Sequence, residues 1–462
     1  MGYEDARLNG VDPGPAARSV LTALEDAGLE AWIVGGWVRD ALMGGAPHDV
    51  DLCCSGSWQE NEAALRAHGI GVVESGVKFG GITAVCDGER IEVTTYRVDG
   101  FYTDGRHPEE VRRAATVDED LARRDFTVNA MAWHPARGLL DLYDGERDIA
   151  RRLIRAVGEP RRRFEEDALR MLRAVRFACR LGFEIEDETA AALAACAPLL
   201  DAVARERVGV ELMGILATGR VGWALERCPE VMCAAIPELA ACRGFDQRSV
   251  YHDSDVYGHI ARVAVAVEHT GRGPAGPSLR WAALLHDVAK PECFTVDDGG
   301  RGHFYGHPER GAKAARAILR RLAIPDHVAR EACLLIRHHD APLEPERKSL
   351  LKMAGNFSRE GMDAPALMRD LFALMRADAL GKAPACRSYI GEIDGLERAF
   401  DRLMDEGAAY SVKTLAVKGG DLIAAGIAPG RGVGEMLNRA LAAQVSGKVG
   451  NNRADLLAYL GL

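Results

Sequence analysis

The stretch Trp32-Ile33-Val34-Gly35-Gly36-Trp37-Val38-Arg39-Asp40, followed by His48-Asp49-Val50-Asp51-Leu52, decides how the N-terminal third of the chain folds. An apolar run ending in two glycines reads as a strand, a tight turn and the start of a helix. The second segment reads as another strand. Side chains at i and i+2 of a strand share a face, so Asp49 and Asp51 are expected side by side. Two anions that close repel unless a cation lies between them. A glycine turn ahead of a helix offers backbone N–H groups to phosphate and lets the backbone approach it closely. Arg39, just inside the helix, can add its fork of donors to phosphate oxygens. Together these features point to a Mg²⁺-dependent site for a nucleoside triphosphate. Gly35, Gly36 and Arg39 would face the nucleotide, and Asp49 and Asp51 the metal. Glu92, in Arg90-Ile91-Glu92-Val93-Thr94, is an acid inside a strand-like run and is the candidate third carboxylate.

Outward from this core, residues 14–28 read as an amphipathic helix closed by Gly28. Strands are expected near 70–75, 81–87 and 90–97, and helices near 57–68 and 118–123. The aperiodic Arg97–Glu110 segment, rich in Asp, Gly and Tyr, reads as a loop. Ala130–His134 and Gly138–Tyr143 read as a hairpin ending at Asp144-Gly145. Beyond Arg147 strand signals nearly vanish. Helical periodicity runs to the end, with loops expected at 270–278 and 296–302. The expected class is α+β: a mixed head over 1–146, an all-α neck over 147–216, a helical body over 217–400 and a helical tail over 401–462.

The 462 residues leave room for several hydrophobic cores. No apolar run reaches about 18 residues, so no membrane span is expected. Met1 to Pro15 is polar, which argues against a secretory signal and for a cytoplasmic location. Eleven cysteines form no CxxC pair, which disfavours a zinc ribbon or redox dithiol and favours reduced, buried thiols. The net charge of −10 disfavours a general nucleic-acid binder. Yet the arginines between Arg151 and Arg180 form one basic band that could hold a single RNA stem, or could be a solvated helix face.

Within that band, Glu166-Asp167-Ala168-Leu169-Arg170-Met171-Leu172-Arg173-Ala174-Val175-Arg176-Phe177 separates into two rows on one helix. Ala168, Met171, Leu172 and Val175 form an apolar stripe. Asp167, Arg170, Arg173 and Arg176, three apart, lie opposite. Asp accepts hydrogen bonds and Arg donates them in a plane, so Asp167 and Arg170 could match the Watson–Crick edge of C or A. The alternative is an ion pair on a wet helix face.

The head segments resemble motif A of the bacterial-type tRNA nucleotidyltransferases and poly(A) polymerases, within the DNA polymerase β superfamily. Arg123-Arg124-Asp125-Phe126-Thr127-Val128-Asn129-Ala130 resembles the family's RRDxxxNA motif. There the motif contacts the ribose, which makes Arg124, Asp125 and Asn129 the matching positions. Asp141-Leu142-Tyr143-Asp144-Gly145 resembles the hinge between head and neck. Glu166–Arg170 resembles the EDxxR motif, which selects CTP and ATP without a template. Asp167 and Arg170 take its base-reading positions, while Arg173 and Arg176 fall to phosphate or local packing. Arg205-Glu206-Arg207-Val208-Gly209-Val210-Glu211-Leu212 resembles the next motif, which stabilises the neck.

Further on, the apolar helix Trp281–Leu285 ends in His286-Asp287. An imidazole and a carboxylate adjacent on a buried helix can converge on one divalent metal. The order His259, His286-Asp287, Asp378 resembles the HD phosphohydrolase superfamily. His307 and His339 stand as its extra histidines, with His338 the alternative to His339. This implies a second divalent metal in the body. It also implies a phosphatase or phosphodiesterase on 2′,3′-cyclic phosphates.

The whole resemblance implies a polymerase-β-like head that adds CCA to the 3′ end of tRNA from CTP and ATP. Two-metal chemistry on Asp49, Asp51 and Glu92 would release pyrophosphate. The first alternative keeps the chemistry: a poly(A) polymerase, or an enzyme adding only CC or only A. Arg97, Asp99, Tyr102, Asp104 and Arg106, retained in the loop, favour full CCA addition. The second is a hydrolase working through the HD residues, with the head kept for RNA. A non-catalytic RNA-binding module would need neither DxD nor EDxxR.

Overall fold

In the computed structural model the described residues are 8, 11–45, 47, 49–75, 77, 80–99 and 111–462. They fall into two units: Met1–Leu212 with Cys228–Ala235, and Met213–Arg227 with Ile236–Leu462.

Short, wholly apolar runs place the central strands of the first unit. The strands are β1 (Ala31–Val34), β2 (Asp51–Cys54), β3 (Gly71–Val73), β4 (Gly81–Cys86), β5 (Glu89–Thr95), β6 (Arg97–Asp99), β7 (Val111–Arg113), β8 (Met131–His134) and β9 (Gly138–Asp141). Seven form one sheet in the order β3-β4-β5-β2-β1-β8-β9, while β6 pairs with β7 alone. β1 and β8 are buried along their whole length, as strands covered on both faces must be. Trp32, Val34, Cys53 and Ala132 share one cluster with Tyr96, Val117 and Leu121. The register matters most for function. β1 runs antiparallel to β2 with Val34 opposite Asp51. β2 runs parallel to β5 with Asp51 opposite Glu92.

The helices here are α1 (Pro15–Asp26), α2 (Gly36–Leu42), α3 (Trp58–Ala67), α4 (Val117–Ala122), α5 (Gly145–Arg151), α6 (Pro160–Glu166), α7 (Leu169–Leu181), α8 (Asp187–Cys196) and α9 (Arg205–Ala217). Proline at its first turn starts α1, and Gly28 at φ 77° follows its end. A Ser57–Glu60 capping box starts α3. Gly182 at φ 68° closes α7. A two-residue parallel ladder joins β10 (Leu153–Ile154) to β11 (Glu184–Ile185).

After α10 (Val221–Arg227) and α11 (Pro229–Ala235), the second unit is helical: α12 (Val256–Ala266), α13 (Pro277–Leu285), α14 (His307–Arg321), α15 (Asp326–His338), α16 (Arg347–Arg359), α17 (Ala364–Gly381) and α18 (Tyr389–Asp405). Trp281, Phe357, Phe372 and Phe400 are fully buried in its core. The tail, α19 (Gly419–Ala424), α20 (Arg431–Val445) and α21 (Arg453–Leu460), closes around Leu422, Leu437 and Leu456. Eight of the eleven cysteines are buried, as reduced structural thiols should be. Among the described residues no single helix is long and apolar enough to cross a membrane.

Four local expectations are corrected. β2 begins at Asp51, so Asp49 precedes the strand and is not held by its pleat. The segment read as a loop from Arg97 begins with strand β6, which pairs with β7, Arg97 lying opposite Arg113. Tyr102, Asp104 and Arg106, like His48, lie outside the described residues. The 296–302 segment is the turn of a hairpin between β12 (Thr295–Val296) and β13 (Gly302–His303). The helix expected through Glu166–Phe177 is broken: Asp167 is extended (φ −144°, ψ 102°) between α6 and α7.

Gly145 shows how tightly the head closes on α5. A Cβ there would lie 2.4 Å from the Thr127 carbonyl oxygen and 2.8 Å from Met131 Sδ. Gly145→Ala should destabilise the protein by about 1–3 kcal/mol through overpacking. Urea denaturation measures this, and a loss below about 0.5 kcal/mol would show that the turn gives way freely.

Candidate active site and metal centre

The end of β1, the start of β2 and the middle of β5 bring the Gly35 turn, Asp51 and Glu92 to one place. Gly35, at φ 73°, caps α2. A side chain there would be strained, and its Cβ would meet Arg124 Nη1 at 3.1 Å. Arg124 therefore lies over the glycine turn. Asp49, Asp51 and Glu92 are all exposed. Desolvation by crowding neighbours and the charge of Glu92 push the Asp51 carboxyl up to about 6; Arg124 opposes this and Asp49 adds to it. Acids that destabilise one another's ionised forms are a suitable donor set for a divalent cation.

The other head motif holds this turn from behind. Asp120, fully buried on α4, pairs with Arg123 Nη2 at 2.7 Å and Arg124 Nη2 at 3.2 Å. Arg39 is buried and donates to Asn129 Oδ1 at 2.6 Å and to Asp40 at 2.8 Å. Its guanidinium is thus committed to these partners. Asn129 in turn donates to Asp125 Oδ1 at 3.2 Å, and Asp125 Oδ2 pairs with Arg173 of α7 at 2.7 Å. Burial alone would raise the Asp125 carboxyl, but Arg173, with help from Arg170 and Asn129, holds it below the usual range. The Phe177 ring joins the same array, with guanidinium groups of Arg39, Arg173 and Arg176 at 5.5, 5.4 and 4.6 Å from its centre.

Asp167 and Arg170 do not pair with each other. Asp167 Oδ1 accepts from the Leu169 amide at 3.0 Å and so starts α7, while Oδ2 pairs with Arg207 of α9 at 3.0 Å. Arg170, buried, pairs with Glu166 at 2.9 Å and donates to the Arg123 carbonyl at 3.0 Å. Arg176 pairs with Glu211 at 2.6 Å. Asp120, Glu166, Arg207 and Glu211 are thus the partners that hold these arginines and Asp167, a role not expected from the sequence. Asp120 carried a signal, since it stands three and four residues before the arginine pair.

In the second unit, His259 lies on α12, His286-Asp287 at the end of α13, and Asp378 on α17. Their ligand atoms lie within 4.8 Å of one another, as do those of Asp287, His307 and His339. Asp287 belongs to both groups. Among the described residues no other His, Cys, Asp and Glu groups gather this closely. Nδ1 of His286, His307 and His339 each meets a backbone carbonyl, of Ala283, Phe304 and Ile336, at 2.7–2.9 Å. That fixes the tautomer with a lone pair at Nε2, which a metal requires. His338 instead packs on Phe357 and belongs to neither group. Burial alone would raise both acids. His286 and Lys290 instead hold Asp287 well below the carboxylate range, and Lys382 and His259 do the same for Asp378. Lys290 Nζ lies 2.7 Å from Asp287 and Lys382 Nζ 2.5 Å from Asp378. The group opens on a cavity of about 940 Å³ that Lys290, Lys382, Arg301 and Tyr305 also line. The donor set fits a divalent metal: imidazole with carboxylate, and Asp287 oxygens that accept no well-aligned hydrogen bond.

A mixed head carrying clustered acids beside a glycine turn, joined to a helical HD-type region, is the build of a template-independent nucleotidyltransferase. Family models match in the same order: poly A polymerase head domain over 31–155, the RNA and SrmB-binding site of polymerase A over 182–229, HD domain over 256–381, and tRNA nucleotidyltransferase domain 2 over 398–460. The chain is 44% identical to the CCA-adding enzyme of Leuconostoc mesenteroides over 46% of its own length and 51% of that protein's. It thus spans about half the length of that relative. It is 33% identical to the Geobacillus thermodenitrificans CCA-adding enzyme over 97% of this chain and 96% of that one. Among solved structures, the Bacillus stearothermophilus CCA-adding enzyme in complex with CTP matches with TM-score 0.68 and 28% identity over 98% of each chain. The fold also matches the Thermotoga maritima CCA-adding enzyme complexed with tRNA, at TM-score 0.61 and 21% identity over 97% of this chain and 95% of that one. The chain belongs to the family of CCA-adding enzymes.

The raised pKa of Asp51 gives a pH dependence. A carboxyl titrating near 6 carries a proton below that pH, and a divalent cation must displace it. Affinity for a divalent cation at the head should fall by up to about tenfold per pH unit below that point and level off above about pH 7. Calorimetric titration of an Asp287→Asn protein, which weakens the second centre, isolates the head. A flat profile from about pH 5 to 7.5 would remove Asp51 from the ligand set.

Proposed function

We propose that this chain adds CCA to the 3′ end of tRNA, using CTP and ATP without a template and releasing pyrophosphate. The observation that carries this reading is the continuous path from the acids beside Gly35, through Arg124, Asn129 and Asp125, to Arg173 on the neck helix. It ties a metal-and-phosphate site to a base-reading segment. Residues 1–146 serve as the catalytic head and 147–216 as the neck. Mg²⁺ on Asp49 and Asp51, with Glu92 beside them, would stabilise charge developing on the α-phosphate. The Gly35-Gly36 turn presents amides to the triphosphate, and Arg39 and Arg124 keep that turn and the ribose-side motif in place. Asp125 and Asn129 meet the ribose.

Base choice falls to Asp167 and Arg170. C and A both show an exocyclic amine where U and G show a carbonyl. A carboxylate beside a guanidinium can accept from that amine while donating to the adjacent ring nitrogen. Arg173 and Arg176, already committed to Asp125 and Glu211, position α7. These substrates place the protein in the cytoplasm.

A second activity is favoured by the paired ligand groups that share Asp287. With a divalent metal bound, the second unit would hydrolyse phosphate esters, 2′,3′-cyclic phosphates included, with Lys290 and Lys382 available to the phosphate.

Asp49→Asn/Asp51→Asn should cut nucleotide incorporation on the order of a thousandfold, the equivalent of about 4 kcal/mol of lost charge stabilisation. Survival of incorporation refutes the transferase site. With tRNA lacking its 3′ end, CTP alone should stop at CC, and CTP with ATP should stop at CCA. A long A tail would instead identify a poly(A) polymerase. Asp287→Asn should lower the metal content of the purified protein by mass spectrometry and leave incorporation intact. Unchanged metal content would refute the second centre.

A further inference from the structure

The second unit carries a basic trough that none of this chemistry uses. Glu309, Lys313, Arg316 and Arg320 recur three or four apart on α14 and share one face. Arg330, Cys333 and Arg337 do so on α15, which packs against it. The two rows wall a cavity of about 660 Å³ with Ala312, Ala317 and Leu334 between them. Six of its lining residues are cationic (Arg310, Lys313, Arg316, Arg320, Arg330 and Arg337), and two are acidic, Glu309 and Glu360. Arg316 pairs with Asp326 at 2.7 Å and Arg337 with Glu309 at 3.1 Å, while Arg330 meets the Glu360 carbonyl. Lys313 and Arg320 are exposed and have no partner among the described residues.

This cation excess stands in a chain of net charge −10. Packing does not require it, because Ile318, Leu319, Leu335 and Ile336 fill the buried faces of both helices. Uncompensated like charges on one surface cost self-repulsion unless an anion neutralises them. The trough has no aromatic ring on which a nucleobase could stack and no bulky apolar centre to anchor a protein partner. Guanidinium and ammonium groups around a floor of small residues suit a phosphate backbone. From Lys313 to Arg320 the helix advances about 10 Å, room for more than one phosphate.

We propose that the α14–α15 trough binds backbone phosphates of tRNA, away from the 3′ end where the chemistry occurs. The inference rests on the reading of tRNA as substrate. It predicts a share of tRNA affinity that is local to this face and strongly dependent on salt.

The test compares Lys313→Glu/Arg320→Glu with Lys348→Glu/Lys352→Glu, which makes the same charge change at exposed positions on α16. Fluorescence anisotropy measures binding of tRNA lacking its CCA end across a salt series. The trough variant should bind about tenfold more weakly, with a salt slope shallower by about 1–2, and the α16 variant should stay within about twofold of wild type. Steady-state incorporation should show a raised KM for tRNA with kcat unchanged. Lys313→Gln/Arg320→Gln, which removes charge without reversing it, gives the same comparison should the reversal unfold. Equal weakening by both glutamate variants, or unchanged affinity and slope in the trough variant, overturns the proposal. A wild-type protein that binds tRNA in this pattern yet incorporates no nucleotide would instead overturn the transferase reading and leave the trough standing.

Discussion

The first unit depends on one carboxylate. Asp125 accepts from Asn129 and its own following amide on one oxygen and from Arg173 on the other. Asn129 passes the connection to Arg39 on α2, so the glycine turn and the neck helix share one anchor. A largely buried carboxylate is stable only if its lone pairs are filled, and here head and neck each fill part of it. Its lowered pKa means the charge persists at neutral pH. The stability it contributes is present above the unfolded carboxylate range and is lost only as pH falls through that lowered value. The Phe177 ring works to the same end, since Arg173 and Arg176 flank it from its own helix while Arg39 reaches it from α2.

The two candidate metal sites await a cation in opposite ways. In the head, Asp49, Asp51 and Glu92 stand exposed, yet desolvation around the Asp51 carboxyl and the charge of Glu92 raise its pKa. In the second unit, Asp287 is nearly solvent-free, and an unpaired buried carboxylate would be prohibitive. Lys290, at 2.7 Å, supplies the compensating charge. Exposed acids suit a hard cation that keeps part of its water and meets a triphosphate. A dry imidazole–carboxylate nest suits a metal held by the protein itself.

Much of this was legible in the sequence because periodicity and special residues carried it. The Gly35 turn, the strand positions of Asp51 and Glu92 and the order of the HD residues are local signals, and each fell where the pattern put it; Asp49 alone did not, since it precedes the strand. What stayed hidden was long-range. Nothing in the Asp167-Ala168-Leu169 run announces a helix break, since its apolar spacing still fits a 3.6 period. At the break Asp167 accepts from the Leu169 amide and reaches Arg207, forty residues later. Arg39 looked free to take phosphate because its partner Asn129 is ninety residues away. The β6–β7 ladder escaped notice because strands of three residues lie below what alternation can register.

On the proposal that Asp167 and Arg170 read the base, the break at Asp167 has a physical consequence for base choice. Had Asp167 and Arg170 lain on one continuous helix, their charges would have been free to satisfy each other, and an incoming base would have had to break a ready-made pair. Instead each is held by a different neighbour, Arg207 and Glu166, with donor and acceptor kept apart. A base that supplies both an amine and a ring nitrogen then replaces or supplements bonds already made, and no bare charge is exposed at any stage. A base with a carbonyl in place of the amine would set oxygen against the half-buried Asp167 carboxylate and offer it no donor. Discrimination without a template can therefore rest on what the wrong base fails to satisfy, as much as on what the right one gains.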